Sequence, residues 1–349
     1  MRVVVTGASG NVGTSVLQAL GEDDRVDEIV GIARRLPSWE PPKVRWVRAD
    51  VVSDPLVPIF SGADAVVHLA WAIQPGRDEA TLERINLTGS ERTFRAVVEA
   101  GVGSLIHASS VGAYSAGPKD RAVDESWPVG GIPTSAYSRH KAAVERKLDQ
   151  LERDAPDLRV VRLRPGLIFK GEAASEIRRL FIGPLLPNFA VRRGLIPLVP
   201  RIERLRFQAV HSLDVGAAYR EAVLRDVAGP FNIAADPVIG PDELADLLGA
   251  RLLDTAPGLV RGLADLSWHL RLQPTEPGWF DLALGVPVMD TRRAERELGW
   301  RPRTTSLDAL GELLEGLRKA EGFPTPPLLK SAGGRARIKE LTSGVGARQ

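Results

Sequence analysis

The sequence predicts an α/β fold, a doubly wound parallel sheet with a smaller, mainly helical C-terminal lobe. Three observations carry the prediction. From Met1 to about Leu163, short β-branched runs alternate with helix-period segments, the pattern of a parallel sheet covered on both faces. The first run passes through a glycine-rich turn straight into a helical pattern. Beyond Pro165 the alternation stops, first in a stretch rich in Pro, Gly and Arg and then in helices.

Taken in order, Arg2–Thr6 is the first expected strand and Asn11–Leu20 the first helix, closed by Gly21 at a helix C-terminus. Further strands are expected at Glu28–Ala33, Val44–Arg48 and Ala65–Leu69. The helix Ala80–Ala100 ends at Gly101, and a fifth strand, Ser104–Ser109, precedes the helix Ala136–Arg153. Arg159–Arg164 is the sixth strand. Right-handed crossovers between such units bring ligands to the carboxyl ends of the strands. Phe207–Asp214 and Pro230–Ala234 read as a return to the sheet, and from Ile239 helices dominate, ending in the amphipathic Ser306–Lys319. The expected division is residues 1–165 with about 207–235 for the sheet domain, and 166–206 with 236–324 for the lobe facing it. Residues 325–349 are expected to be a disordered tail.

The 349 residues are 44% hydrophobic and 26% charged, an ordinary balance for a globular chain with a sizeable core. The absence of cysteine excludes disulfides, thiolate metal sites and cysteine nucleophiles. The histidines at 68, 107, 140, 211 and 269 lack the i,i+4 pairing of a helical zinc site, so no metal is expected. No apolar run has the length of a membrane span; the richest, Leu180–Val191, is broken by Pro184 and Pro187. The chain opens on its first strand without the pattern of a signal peptide, and a cytoplasmic protein is expected. A pI near 9.0 raises the question of nucleic acid. The basicity, however, lies in the tail Thr325–Gln349, where Lys330, Arg335, Arg337, Lys339 and Arg348 stand against Glu340. A solvated tail accounts for it, and neither nucleic acid nor membrane is an expected partner.

The turn after the first strand reads Thr6-Gly7-Ala8-Ser9-Gly10-Asn11-Val12-Gly13. Glycines allow tight turning and close approach of a pyrophosphate, whose oxygens meet the helix N-terminus. The spacing is G-x-x-G-x-x-G, and its place between first strand and first helix points to a dinucleotide held by Gly7, Ser9, Gly10, Asn11, Val12 and Gly13. At the end of the second strand, an NAD site offers a carboxylate to the ribose 2′-hydroxyl. Here Ala33 stands at that position, followed by Arg34 and Arg35. Guanidinium groups grip a 2′-phosphate, so NADP(H) is favoured over NAD(H).

Tyr137 and Lys141 lie four apart at the start of a helical pattern and share one face. An ammonium nearby favours the phenolate, which makes tyrosine a usable acid or base near neutrality. Upstream, Ser109 and Ser110 close the fifth strand and face the ligand crevice, where a hydroxyl can hold a substrate oxygen that gains charge.

These residues resemble an extended short-chain dehydrogenase/reductase, of the NAD-dependent epimerase/dehydratase family. The resemblance covers roughly residues 1–320 and rests on ordered motifs. They are TGASGNVG, Arg48-Ala49-Asp50-Val51, the Ala65–Ala70 run, Ile85-Asn86-Leu87-Thr88-Gly89 and His107–Tyr114. Tyr137–Lys141, Arg164-Pro165-Gly166, Phe207–Val215 and the segment from Met289 to Pro302 complete them. The resemblance implies a Rossmann domain in which Asp50 and Val51 bracket the adenine and Leu69 and Ala70 line the ribose and pyrophosphate. Asn86 and Ser109 join the cofactor site, and Pro165 contacts the nicotinamide end. Ser110 matches the catalytic serine, Tyr137 the acid/base, and Lys141 the residue that binds the nicotinamide ribose and lowers the tyrosine pKa. Ser110, Tyr114, Leu167 and His211 are candidate substrate contacts. Family members often pair through the helices beside the catalytic tyrosine, which suggests a homodimer.

Within the family, sugar-nucleotide dehydratases follow their hydroxyl residue with an Asp-Glu pair, whereas Ser110 is followed by Val111-Gly112-Ala113. Epimerases keep an acidic residue after the second strand and an asparagine after the conserved arginine; this chain has Ala33 and, after Arg164, Pro165-Gly166-Leu167. The remaining reading is an NAD(P)-dependent oxidoreductase moving hydride to or from a carbonyl or alcohol on a small-molecule substrate. The alternatives are a nucleotide-sugar epimerase with tightly bound NAD and a non-catalytic NADP(H) sensor.

Overall fold

Val3, Val4 and Val5 are all fully buried, yet they belong to different cores. Val3 and Val5 pack on one face of the sheet and Val4 on the other, as the period of two in an extended strand requires. A strand buried on both faces lies in the middle of a parallel sheet. The computed structural model, which describes residues 1–73, 78–182, 196–202, 204–269 and 276–330, shows that sheet. Its strands are β1 (Arg2–Thr6), β2 (Glu28–Ala33), β3 (Val44–Arg48), β4 (Ala65–His68), β5 (Ser104–Ala108), β6 (Arg159–Pro165) and β7 (Gly229–Ile233). They run in the order β7-β6-β5-β4-β1-β2-β3, all parallel. The order reverses between β1 and β4, and the crevice beyond Thr6 and His68 is the topological switch point.

Helices cover both faces. Helix α1 (Asn11–Gly21) and helix α4 (Ser212–Leu224) lie on the face of Val3 and Val5, contributing Val16, Leu17, Leu20, Val215 and Tyr219 to that core. A side chain at Gly216 would stand 2.5 Å from the Ser15 carbonyl oxygen, so the contact of these two helices depends on that glycine. On the other face lie α2 (Gly89–Glu99), with Phe94 and Val97, and α3 (Ala136–Asp154), with Val144 and Leu148.

The structure departs from the sequence pattern in three places. The expected helix over 80–100 is interrupted by a π-type turn, Arg84–Thr88, which turns Asn86 into the interior. Phe207–Asp214 does not join the large sheet. Its strand Ala209–His211 pairs with Leu167–Phe169, and at Ser212 the chain becomes α4, because the His211 ring accepts the Leu213 N–H and caps the helix. Pro230–Ala234 does return to the sheet, as its edge strand β7. In the second part of the chain Leu198–Arg201 pairs with Arg251–Asp254, a small parallel ribbon where no strand is expected. Helix α5 (Ser306–Lys319), capped by Thr305, buries Ala309, Leu310, Leu313 and Leu317 against Phe169, Ala174, Ala209 and Ile239. Most of the apolar stretch 180–191 and the tail beyond Lys330 lie outside the described residues. Among the described residues, no helix is long and apolar enough to cross a membrane.

Candidate active site

Two of the three loop glycines answer to packing within the protein. Gly7 has φ +69°, and a side chain there would stand 2.7 Å from the Ala70 N. At Gly13 it would stand 2.4 Å from the Gly7 carbonyl oxygen. Gly10 is different: a Cβ would find its nearest neighbour at 3.5 Å, an ordinary contact. Gly10 is also the N-cap of α1 and brings no capping side chain to the first-turn amides of Asn11, Val12 and Gly13. A helix start that has no N-cap side chain and has room at Gly10 suits a phosphate group. The Glu176 carboxyl already reaches the Asn11 N–H, which lowers its pKa against the larger upward push of burial. Ser9 is buried beside the loop, and the Asn11 amide donates to the Ile168 carbonyl at 3.4 Å. The residues present fit a dinucleotide.

The strand ends around this loop are tied to one another. Thr6 Oγ1 accepts the Ala70 N–H at 3.3 Å and meets His68 Nδ1 at 2.7 Å, while His68 Nε2 meets Ser90 Oγ at 3.1 Å. Burial pushes His68 down to about 3, so this chain of hydrogen bonds is made by a neutral ring. Leu69 donates its N–H to the Thr6 carbonyl. Asn86 closes both of its amide groups on the Ala72 backbone, at 2.8 and 2.9 Å, and so holds the extension of β4 in place. At the end of β2, Ala33 is buried while Arg34 and Arg35 are exposed, with no ion pair to either among the described residues. Asp50 accepts the Val52 N–H at 2.9 Å, and Val51 is buried against Gly89.

Ser110 follows β5 and opens a short turn, Val111–Ala113, by accepting the Gly112 N–H at 3.0 Å. Tyr137 is in the first turn of α3, whose N-cap is Ser135. Ser138 fastens the two segments, donating to the Gly112 carbonyl at 2.5 Å and accepting the Ile132 N–H at 2.6 Å. Ser110 and Tyr137 are thereby brought to either side of Gly112. Gly112 is required between them, since a side chain there would press on the Tyr137 ring at 2.9 Å. One turn along α3, Lys141 donates to the Ala108 carbonyl at 2.7 Å.

The electrostatics correct one expectation. Burial pushes Tyr137 up to about 12, and the Ser110 hydroxyl opposes this only in part. Lys141 is itself pushed down to about 7 by burial, with Glu145 pulling the other way. The ammonium therefore does not lower the tyrosine in this state. Desolvation outweighs it, and the phenol is held protonated.

Ser109, Tyr114 and the Arg164 step belong to a buried polar cluster. The Ser109 hydroxyl donates to Glu145 at 2.5 Å, and Glu145 takes both Arg164, at 2.8 and 3.0 Å, and Arg162, at 2.9 Å. Burial raises the Glu145 carboxyl, but the two arginines hold it at about 2. Arg164 donates onward to the Tyr114 hydroxyl at 3.0 Å, which donates to Asn232 at 2.7 Å. Tyr114 is completely buried and does not join Ser110 and Tyr137. Nor does His211, whose Nε2 meets the Glu312 carboxylate at 3.1 Å. Leu167 is largely exposed, and Pro165 ends β6 opposite Ile233.

Two tryptophans that the spacing of motifs does not single out meet Tyr137, and a phenylalanine packs on one of them. The Trp279 ring lies 4.8 Å from the Tyr137 ring at 34°, and Phe181 stands edge-on to Trp279 at 4.9 Å. Trp71 stands edge-on to Tyr137 at 6.1 Å. Trp71 directly follows Leu69 and Ala70 and was within reach of the motif; Trp279 and Phe181 come from remote segments with no sequence signal.

A parallel sheet in this order, with a glycine loop at its switch point, is the fold of the extended short-chain dehydrogenases/reductases. The model of the NAD dependent epimerase/dehydratase family matches residues 3–197, and the chain belongs to that family, as an enzyme of the extended type. An uncharacterised protein of Mycobacterium tuberculosis is 25% identical over 345 residues, covering 96% of this chain and 88% of that protein. Among solved structures, a UDP-glucose-4-epimerase from Stenotrophomonas maltophila with bound NAD and formylated UDP-arabinopyranose is 21% identical with a TM-score of 0.67, covering 91% of this chain and 98% of that one. A UDP-glucose 4-epimerase from Thermotoga maritima with UDP-glucose is 19% identical with a TM-score of 0.66, covering 91% and 99%. At these identities the structural likeness speaks for the fold.

Proposed function

We propose that the protein is an NAD(P)-dependent oxidoreductase that reduces a carbonyl group, or oxidises the corresponding alcohol, at Ser110, Tyr137 and Lys141. The observation that carries this reading is the approach of Ser110 and Tyr137 just beyond the carboxyl end of β5, where a side chain at Gly112 would stand 3.3 Å from Ser110 Oγ and 2.9 Å from the Tyr137 ring. A bound nicotinamide dinucleotide supplies or takes up the hydride. In the reducing direction Tyr137 gives its proton to the carbonyl oxygen, and burial keeps that proton in place until it is needed. Ser110 holds the same oxygen as charge develops on it. Lys141, one turn along α3, holds the nicotinamide ribose, as the resemblance implies. Residues 1–165 with about 207–235 hold the dinucleotide, and 166–206 with 236–324 border the substrate. Arg34 and Arg35, exposed and following Ala33, favour the 2′-phosphate of NADP(H). Tyr137→Phe with retained cofactor binding and lost turnover supports the assignment; an unchanged rate rules it out.

A second reading, nucleotide-sugar epimerisation, is favoured by membership of the NAD dependent epimerase/dehydratase family. It requires NAD that stays bound through purification and is not consumed. Net consumption of NADPH with a carbonyl compound excludes it.

A further inference from the structure

We propose that the reactive carbonyl or alcohol is carried on a flat aromatic body, recognised by stacking on the rings around Tyr137. The inference rests on the oxidoreductase reading and adds the substrate class to it. Trp71 and Trp279 meet Tyr137 from two separate segments, and Phe181, from a third, packs on Trp279; each ring is partly accessible. Trp279 is placed firmly. It is in the first turn of the helix Gly278–Gly285, which lies so close to the turn before α3 that a side chain at Gly278 would stand 2.4 Å from the Thr134 carbonyl oxygen. Behind the rings, Val111, Ile132, Leu282 and Val286 complete an apolar wall with Tyr137 and Trp279. Offset and edge-on ring contacts select planar π-systems over aliphatic bodies of similar size.

Two features refine the class. The Trp71 indole N–H is buried without an acceptor among the described residues, so a ligand that brings an oxygen to it relieves an unmet donor. Two cations of the neighbouring segments are already engaged. Arg139 binds the Pro133 carbonyl and the Glu79 carboxylate, and Arg261 binds Asp281 through two nitrogens. A nucleotide diphosphate needs such groups for its phosphates; an oxygen-bearing aromatic compound does not.

The test uses the full chain saturated with NADP⁺ and follows binding by calorimetry, with naphthaldehyde, cyclohexanecarbaldehyde and UDP-glucose as probes. Naphthaldehyde should bind about tenfold tighter than its aliphatic counterpart. Trp279→Ala should remove about tenfold of that affinity, and Trp279→Phe, which keeps a ring and guards against a folding defect, should retain it within about threefold. Equal affinity for both aldehydes, indifference to Trp279→Ala, or tight binding of UDP-glucose alone would overturn the proposal. Consumption of NADPH separates the two readings. Naphthaldehyde binding without consumption supports the aromatic class while removing the oxidoreductase reading. Consumption driven only by aliphatic aldehydes keeps that reading and ends the aromatic class.

Discussion

The Lys141 ammonium lies 3.5 Å from the centre of the Trp71 ring, capped by the indole face while it donates to the Ala108 carbonyl. A cation–π contact of this kind repays part of the cost of burying a charge, yet burial still lowers Lys141 from its ordinary 10.5 to about 7. Between those pH values the unfolded chain binds a proton that the folded chain does not. Stability contributed through Lys141 is therefore smallest at and below pH 7 and rises toward pH 10.5. Lys141→Met should raise the free energy of unfolding at pH 7 by about 1–3 kcal/mol, after allowing for the donor lost by Ala108, and should flatten the rise above pH 7. Denaturant titrations at pH 7 and 10 check this, alongside the loss of turnover.

Tyr137→Phe should lower turnover by about 10²–10⁴-fold without changing dinucleotide affinity, because it removes one proton and leaves the ring in place. Ser110→Ala should also slow turnover, and it should raise the Tyr137 pKa, since the Ser110 hydroxyl is what holds that pKa down. Rates measured at saturating substrate and cofactor affinities by fluorescence check both.

The two glycines at positions 7 and 10 should fail in different ways. Gly7→Ala meets a positive φ and a backbone contact at 2.7 Å, so it should lower the melting temperature. Gly10→Ala has room within the protein, so the fold should be kept while dinucleotide affinity falls. Paired melting curves and cofactor titrations separate the outcomes.

Arg34→Ala combined with Arg35→Ala should weaken NADPH binding by tenfold or more, about the effect of one charged hydrogen bond to phosphate, and leave NADH binding nearly unchanged. Equal losses for both cofactors would remove the 2′-phosphate preference.

Glu145→Gln leaves Arg162 and Arg164 buried beside a neutral amide, and should cost about 3–5 kcal/mol. The native carboxyl is held at about 2 against an ordinary 4.5, so its contribution is complete above pH 4.5 and is lost as pH falls through 2. Glu315→Gln, on the exposed face of α5 beside Arg318 and Lys319, should change stability little. Acid titrations of the three proteins give the comparison.

Much of this was legible along the chain. Val3–Val5, the glycine loop and the four-residue step from Tyr137 to Lys141 are local patterns, set by the periods of strand and helix. They determined the parallel sheet, the place of the dinucleotide loop and the residues that meet at the end of β5. Other features needed the folded chain. Tyr114 and Ser109 belong to motifs, but only tertiary packing joins them to Glu145, Arg164 and Asn232 and withdraws them from the cleft. Phe207–Asp214 has the pattern of a sheet strand, but its strand Ala209–His211 pairs with Leu167–Phe169, and the cap at His211 turns the chain from Ser212 into a helix that covers the sheet. The ring cluster at Tyr137 joins residues 71, 137, 181 and 279, too far apart for any spacing to announce. The direction of the Tyr137 pKa was decided there as well. Residue type and spacing determine what chemistry a group can do, whereas desolvation depends on everything that packs around it.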